Sequence, residues 1–368
     1  MSDTNKPSEV AAPADTPVVA PEPVTATAPA PPIESAAKTE ALVTATTTAD
    51  PATAATTAAT TTTTAPTTEE TTADAKPETA PAQETTEPAE EKEASPLAQL
   101  WEAAKDHAHP EIWGVPLADP ANHIPSQIVF QKYLNANDGD LVKAKDQLIK
   151  TLDWRKKTDP LEVVRRMYSK SKFEGLGFVT TYAVDGKEVD EPEEREIFTW
   201  NIYGGVKSID ETFGNLEEFI NWRVALMELA LQELNICGAI KPITAEYDPY
   251  KLFQVHDYKS ISFLRSPPHV KSASSETIKV FAQNYPELLK EKFFVNVPAI
   301  MGFVYGFMKL FVAPKTIKKF HPMSNGANLA KEFADSRIAG LGEKLPAEYG
   351  GKGGELKTVG KESFLTAE

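Results

Sequence analysis

Four segments after residue 176 have strand-like sequences, and their order constrains the fold more than any other feature. They are GFVTTYAV (177–184), REIFTWNIY (195–203), YKLFQVHDY (250–258) and KFFVNV (292–297). Alternating aromatic and β-branched residues are typical of strands. A polar connection joins the first two, which suits a hairpin, whereas helical sequence separates the others, as between parallel strands. The sequence therefore predicts an α/β fold with a mixed, mostly parallel sheet.

Helical periodicity accounts for the connections and for the region before the sheet. Crossover helices are predicted at 215–234, 274–289 and 298–312. Residues 96–168 show only helical patterns, with Asp140 and Asp159 placed as N-caps. We therefore expect a small helical lobe ahead of the sheet.

Residues 1–95 differ in composition from the rest of the chain. They are almost entirely Ala, Thr, Pro and Glu, and the first aromatic residue is Trp101. Such a segment buries too little apolar surface to offset the entropy of ordering. Its 16 acidic residues against four Lys give −12 of the chain's formal charge of −15. The folded part is thus nearly neutral, and no nucleic-acid partner is expected.

These patterns divide the chain into a disordered acidic tail (1–95), an N-terminal helical lobe (96–170), a sheet domain (171–355) and a C-terminal tail (356–368). The single Cys237 excludes internal disulfides and fits a reducing compartment. No secretory signal pattern is present at the N-terminus. The longest apolar run, 299–313, is about 15 residues with a Lys inside it, too short to span a bilayer. It is predicted to be a helix buried in protein or lying on a membrane.

Three neighbouring strands each have one apolar face and one mixed face. Side chains alternate across a strand, so each face can be read from the sequence. A sheet covered on both sides has near-continuous apolar strands, so the mixed face is predicted to line a semi-polar cavity. The alternative is a solvent-exposed face, which the aromatic residues disfavour. The mixed face holds Thr199, Asn201 and Tyr203, then Gln254, His256 and Tyr258, then Lys292, Phe294 and Asn296.

His256 and Tyr258 are the first candidates for chemistry on this face. They lie two residues apart in a strand, so both side chains point to one side, roughly 7 Å apart. Imidazole and tyrosine phenolate both serve as iron ligands in heme proteins. The alternative is a hydrogen-bonded structural pair, which is the usual role of His and Tyr in sheets.

Arg223 lies on the apolar face of the helix predicted at 215–234. A guanidinium in apolar surroundings needs an anionic partner or a route to water. That partner is either an internal carboxylate or the phosphate or carboxylate of a ligand. Lys292 and Tyr203 are further candidates for contact with a ligand. The helix is expected to expose Glu217, Asn221, Glu228 and Gln232.

The sequence resembles CRAL-TRIO lipid-transfer domains over residues 96–355. The motifs are LDWRKK (152–157), HDYKS (256–260), NYPELLKEKFFVNVP (284–298) and LPAEYGG (345–351). Members of this family have an α/β fold with a deep apolar cavity gated by a helix, and they carry single lipids between membranes. The resemblance implies that the run 299–313 is this gate.

More narrowly, the chain resembles the fungal phosphatidylinositol transfer proteins that bind heme b. The matching segments are TWNIYG, NWRVALME, QVHDYKS and YPELLKEK. This resemblance implies iron contact from His256 and Tyr258, and it leaves open which of the two dominates. It also implies that Tyr203, Arg223 and Lys292 line the heme pocket, with the two cations suited to the propionates.

The function that the resemblance implies is non-enzymatic. It is phosphatidylinositol binding and transfer between membranes, with heme b as cofactor and a role in phosphoinositide homeostasis or the response to oxidant stress. The expected location is the cytoplasm, with peripheral, transient attachment to endoplasmic reticulum or microsomal membranes. One alternative is a heme-dependent redox enzyme, disfavoured because no distal acid-base pair is evident. The other is a plain lipid carrier without heme.

Overall fold

The strands and helices around the sheet are defined by a computed structural model that describes residues 94–185, 191–261, 267–297 and 314–366. The predicted gate at 299–313 lies outside the described residues, as does the predicted acidic tail up to residue 93. The strands are β1 (Glu111–Ile112), β2 (Val115–Pro116), β3 (Tyr168–Ser169), β4 (Gly177–Ala183), β5 (Arg195–Ile202), β6 (Leu252–Asp257), β7 (Leu289–Val295), β8 (Phe320–Pro322) and β9 (Leu365–Thr366).

Several helices precede the sheet, together with the short β1–β2 hairpin that helical periodicity did not predict, and helices of 19 and 17 residues cross between the strands of the sheet. Asp140 and Asp159 cap helices as predicted, their side chains accepting hydrogen bonds from the backbone N–H groups of Lys143 and Glu162. The helices are α1 (Pro96–Ala104), α2 (Ile124–Ala136), α3 (Leu141–Thr158), α4 (Pro160–Val163), α5 (Lys170–Phe173), α6 (Ile209–Phe213), α7 (Leu216–Leu234), α8 (Pro268–Asn284), α9 (Pro314–Ile317), α10 (Leu341–Lys344) and α11 (Leu356–Val359).

The main sheet has the predicted mixed, mostly parallel topology. Its strand order is β4-β5-β6-β7-β8, with β4 and β5 antiparallel and the remaining neighbours parallel. Two boundaries differ from the prediction. Helix α8 begins and ends earlier than 274–289, and β7 starts at residue 289, three residues before the predicted strand. The chain after Asn284 therefore turns earlier than helical periodicity indicated.

The two faces of the sheet are covered differently. On the apolar face, Phe198, Trp200 and Phe253 pack with Phe333 and other buried residues of the C-terminal region. On the mixed face, α7 packs against β4 and β5. Gly177 allows this close approach, because a Cβ there would lie 2.7 Å from the Trp222 ring. The mixed face is therefore covered by protein at β4 and β5, as the cavity interpretation requires.

A buried ion-pair network joins the helical lobe to the sheet domain. Arg155 on α3 donates to both carboxylate oxygens of Glu111, at 2.9 and 2.8 Å, and to Glu228 on α7 at 2.7 Å. The Tyr285 hydroxyl also donates to Glu228, at 2.8 Å. The expectation that Glu228 is exposed was wrong, since it is buried. Arg155 and Tyr285, distant in sequence, supply the partners that make this burial possible.

Residues 356–366 lie beyond the predicted boundary of the sheet domain and pack onto it. Strand β9 pairs in parallel with β3, with Tyr168 opposite Leu365. Leu356 is buried in the same cluster as Phe198 and Trp200. Within the described residues, none of the helices has the length and apolar character needed to cross a bilayer.

Candidate functional site

His256 lies at the centre of the mixed face, on β6. Its neighbours in register are Asn201 on β5 and Phe294 on β7. Its ring centroid is 5.6 Å from those of both Tyr203 and Phe294. Burial holds the pKa of His256 well below its usual value, and the positive charges of Lys292 and Arg223 lower it further. The buried Nε2 has no hydrogen-bond partner among the described residues, so a neutral imidazole presents an unused nitrogen.

Tyr258 follows β6 directly and faces the same neighbours. Its ring centroid lies 5.5 Å from that of Tyr203 and 6.3 Å from that of Phe294. Burial raises the pKa of Tyr258, and Tyr203 adds to this rise while Arg223 opposes it. The rings of His256 and Tyr258 therefore both lie next to the ring of Tyr203, on one side of the sheet.

Two backbone features place these rings. After β5 the chain turns at Gly204, where a Cβ would lie 2.0 Å from the carbonyl oxygen of Lys259. Only glycine permits this approach, which brings Tyr203 beside Tyr258. The turn after β6 is held by Asp257, whose carboxylate accepts hydrogen bonds from the Lys259 backbone N–H at 2.8 Å and from the Tyr349 hydroxyl at 2.9 Å.

Arg223 projects from α7 toward the mixed face. Its guanidinium carbon lies 5.5 Å from the ring centroid of Phe281 and 5.8 Å from that of Trp222. Only 3% of the residue is exposed, and its Nε and Nη1 atoms have no hydrogen-bond partner in the part of the chain that the structure describes. Glu228, the buried carboxylate on the same helix, is engaged by Arg155. Among the described residues no carboxylate forms an ion pair with Arg223. The alternative that an internal carboxylate is its partner therefore has no support in this part of the chain.

Lys292 is the second cation of this site. Its Nζ lies 5.5 and 5.6 Å from the ring centroids of Phe294 and Phe320, and it forms no ion pair with any described residue. Burial and the charge of Arg223 lower the pKa of Lys292 to about 7. Among the described residues neither cation has a counter-charge, and the charge of Arg223 destabilises the charged form of Lys292.

The space that separates α7 and α8 from the sheet beside these groups is a narrow cavity that admits no water molecule. Ligand pockets usually measure about 300–1,000 Å³, so a ligand requires this cavity to widen. Asn201 is a functional candidate that sequence reasoning did not single out. It is fully buried, and its Oδ1 has no hydrogen-bond partner among the described residues. The cavity is lined by Thr199, Arg223, Leu226, Met227, Gln254 and Phe281.

The arrangement has a definite chemical character. Arg223 and Lys292 favour a ligand that carries phosphate or carboxylate groups. The ring systems around them favour an apolar body on the same ligand. His256 and Tyr258 offer nitrogen and oxygen donors of the types that ligate iron. The candidate site is therefore suited to an amphipathic anion and, through its His and Tyr, to a metal-containing one.

Comparison with known proteins assigns the fold to a family. The CRAL/TRIO domain model matches residues 200–351, a range that contains all five candidate residues. The chain belongs to the CRAL/TRIO family.

Within this family the chain belongs to the fungal Sfh5 group. It is 69% identical over 275 residues to the phosphatidylinositol transfer protein sfh-5 of Neurospora crassa, covering 74% of this chain and 76% of that protein. Identity to the phosphatidylinositol transfer protein SFH5 of Chaetomium globosum is 74% over 271 residues, or 74% of this chain and 62% of that protein. The chain thus spans less than two thirds of the Chaetomium relative. These relatives carry the name of a carrier and not of an enzyme, in agreement with the sequence-based expectation.

A solved structure supports the same grouping. The crystal structure of Sfh5 superposes with a TM-score of 0.56 and 26% identity, covering 72% of this chain and 87% of that one. The predicted fold class, a helical portion with a mixed sheet of mostly parallel strands, is confirmed by this likeness.

Proposed function

We propose that this protein is a non-enzymatic carrier that transfers phosphatidylinositol between membranes and also binds heme b in the same cavity. It would act in the cytoplasm, with peripheral and transient contact to endoplasmic reticulum or microsomal membranes. A role in phosphoinositide homeostasis or the response to oxidant stress would follow. The observation that carries the proposal is the pair Arg223 and Lys292, which face the ring systems of the site without a counter-charge among the described residues.

Phosphatidylinositol transfer is supported by the names of the relatives and by the chemistry of the site. The Neurospora and Chaetomium relatives are both named as phosphatidylinositol transfer proteins. A phosphodiester beside Arg223 would satisfy buried guanidinium donors that have no partner among the described residues. The lipid's phosphate would in this way repay a desolvation cost that the ligand-free protein bears.

Heme binding is supported by separate features of the same site. Two propionates match the two cations in number and charge, and Arg223 can bind a carboxylate through two parallel hydrogen bonds. The iron would be held by Nε2 of His256, which has no hydrogen-bond partner among the described residues, and by the phenolic oxygen of Tyr258. Heme supplies redox chemistry and gas-ligand binding when bound. The part of this chain's residues is to hold its propionates, flank its ring with aromatic side chains and exclude water.

Competition between the two ligands tests the proposal. Protein loaded with phosphatidylinositol is titrated with heme, and the lipid still bound is extracted and quantified. We expect one lipid to be lost for each heme bound, because Arg223 and Lys292 serve the acidic groups of both ligands. Heme that binds while the lipid is retained would contradict a shared cavity. A protein that transfers the lipid and never takes up heme would instead be a plain lipid carrier.

The pH dependence of lipid affinity should follow Lys292. The pKa of this residue is about 7 in the ligand-free protein, and a phosphate beside it raises that pKa toward the usual value of about 10.5. The contribution of Lys292 to affinity is therefore fully present below about pH 7 and is lost as pH rises through the pKa in the complex. The dissociation constant for phosphatidylinositol should rise by up to about tenfold per pH unit in that window.

A matched variant identifies the titrating group. The lipid phosphodiester, His256 and Tyr258 do not change charge in this window, because burial lowers the pKa of the first side chain and raises that of the second. Lys292→Gln should flatten the profile, whereas Lys279→Gln, an exposed change on α8, should leave it unaltered. An equally steep profile in Lys292→Gln would assign the titration to another group.

A further inference from the structure

Two large apolar side chains lie exposed side by side on the surface formed by β3 and β9. Met167 is 63% exposed and Phe364 is 61% exposed. The backbone N–H of Tyr168 donates to the carbonyl oxygen of Phe364 at 2.8 Å, and Tyr168 lies opposite Leu365 in the parallel pair. In the same parallel register, Met167 therefore lies opposite Phe364.

The neighbouring pair explains why both side chains point outward. Tyr168 is buried, and Leu365 packs with it in the cluster beneath this surface. Side chains alternate between the two faces of extended segments. With Tyr168 and Leu365 fixed inward, Met167 and Phe364 must project to the opposite side, and the fold buries neither of them.

Two exposed arginines adjoin this apolar pair. Arg165 and Arg166 directly precede Met167, and both are exposed. Neither side chain forms an ion pair or hydrogen bond with any residue in the described ranges, although Lys170 and Lys172 nearby are paired with Glu174 and Glu218. We call the four residues Arg165, Arg166, Met167 and Phe364 the β3–β9 patch.

We propose that the β3–β9 patch docks the protein on an anionic lipid surface. Arginines that keep both charge and hydration fit the negative headgroup region, while an aromatic ring and a thioether chain fit the apolar layer beneath it. The proposal rests on the proposed transfer function, because a lipid carrier must contact a membrane. It adds a contact surface formed by described residues, whereas the predicted gate at 299–313 lies outside them.

The patch also adjoins the helix that carries the ligand-binding arginine. The Tyr168 hydroxyl, which donates to the carbonyl oxygen of Val163 at 2.8 Å, also lies 3.2 Å from the carbonyl oxygen of Asn221 on α7, two residues before Arg223. A groove beside α7 is lined by Arg166, Met167 and Tyr168 on one side and by Glu217 and Glu218 on the other. Docking through this surface would therefore hold the first half of α7 close to the membrane.

Vesicle binding by the full chain tests the proposal. The protein is sedimented with vesicles of phosphatidylcholine alone or of phosphatidylcholine mixed with phosphatidylserine. We expect preferential binding to the mixed vesicles, and a loss of at least about 30-fold in Arg165→Glu/Arg166→Glu, since removal of each arginine alone weakens binding to a negative surface about fivefold and the new glutamates add repulsion. Phe364→Asp should also weaken binding to the mixed vesicles.

Matched controls use equally exposed positions elsewhere. Lys143→Glu/Lys150→Glu changes the same number of charges on α3, and Val142→Asp replaces another exposed apolar side chain. Both should bind as the wild type does. Equal loss in controls and patch variants, or equal wild-type binding to both vesicle types, would overturn the proposal. Unchanged vesicle binding in the patch variants, together with loss of binding to a protein partner, would also overturn the proposal.

The lipid content of each variant separates this proposal from the proposed function. Patch variants should retain the phosphatidylinositol that the purified wild type contains, and their thermal unfolding should be unchanged. A wild type that never binds phosphatidylinositol yet docks through the patch would refute the transfer function alone. A wild type that carries the lipid but docks equally well without the patch would refute this inference alone.

Discussion

Replacing Arg155 by Met should lower the free energy of unfolding by about 3–5 kcal/mol, because removal of one member of a buried ion pair leaves the other uncompensated. Arg155 is fully buried and serves both Glu111 and Glu228. Its loss would leave Glu228 without a cation and Glu111 with only the imidazole of His109, 3.2 Å away. Urea unfolding followed by circular dichroism measures the change.

Controls separate lost ion pairing from lost packing. Lys156→Met, at the adjacent exposed position, should change stability by less than about 0.5 kcal/mol. Adding Glu228→Gln to Arg155→Met should recover part of the loss, because a neutral amide removes one unpaired charge. Stability equal to the wild type in Arg155→Met would show that the network does not hold the two parts together.

Arg223→Met should weaken heme binding roughly 30- to 150-fold, which corresponds to the loss of a charged hydrogen-bonding partner worth about 2–3 kcal/mol. The same change should leave the stability of the ligand-free protein equal or higher. Two of the guanidinium nitrogens are buried with no partner among the described residues, and Met removes them while keeping apolar contact with Trp222 and Phe281.

This opposite behaviour of affinity and stability distinguishes a ligand-binding arginine from a structural one. Heme titration followed by absorbance and urea unfolding of the ligand-free protein provide the two measurements. Lys279→Met, on the exposed side of α8, is the matched control and should alter neither. A large stability loss in Arg223→Met would contradict the proposed role, since it would reveal a structural partner.

The sequence was sufficient for those features that local pattern determines. Strand alternation placed Phe198 and Trp200 on one face and Thr199 and Asn201 on the other, and the structure separates them in this way. Apolar neighbours along α7 correctly indicated that Arg223 is buried. These features depend on spacing along one element, and spacing is visible in sequence.

Features that depend on distant partners were not visible. Glu228 has the spacing of an exposed helical carboxylate, and it is buried because Arg155, 73 residues away in sequence, neutralises it. Strand β8 has three residues and pairs only at the sheet edge, too short for an alternating pattern. Asn201 shared the mixed face with the candidates, but its unused Oδ1 emerges only from the packed structure.

We propose that the mixed face of the sheet holds heme through His256 and Tyr258. The visible absorption spectrum of the protein purified from heme-replete cells tests it most directly, together with Tyr258→Phe and His256→Ala. Tyr182→Phe, whose ring packs on the opposite face of the sheet, is the control. The account predicts a strong Soret band in the wild type and the control, with a shifted or weakened band in both site variants. A colourless wild type that also fails to take up added heme, or spectra that are identical in all four proteins, would contradict it.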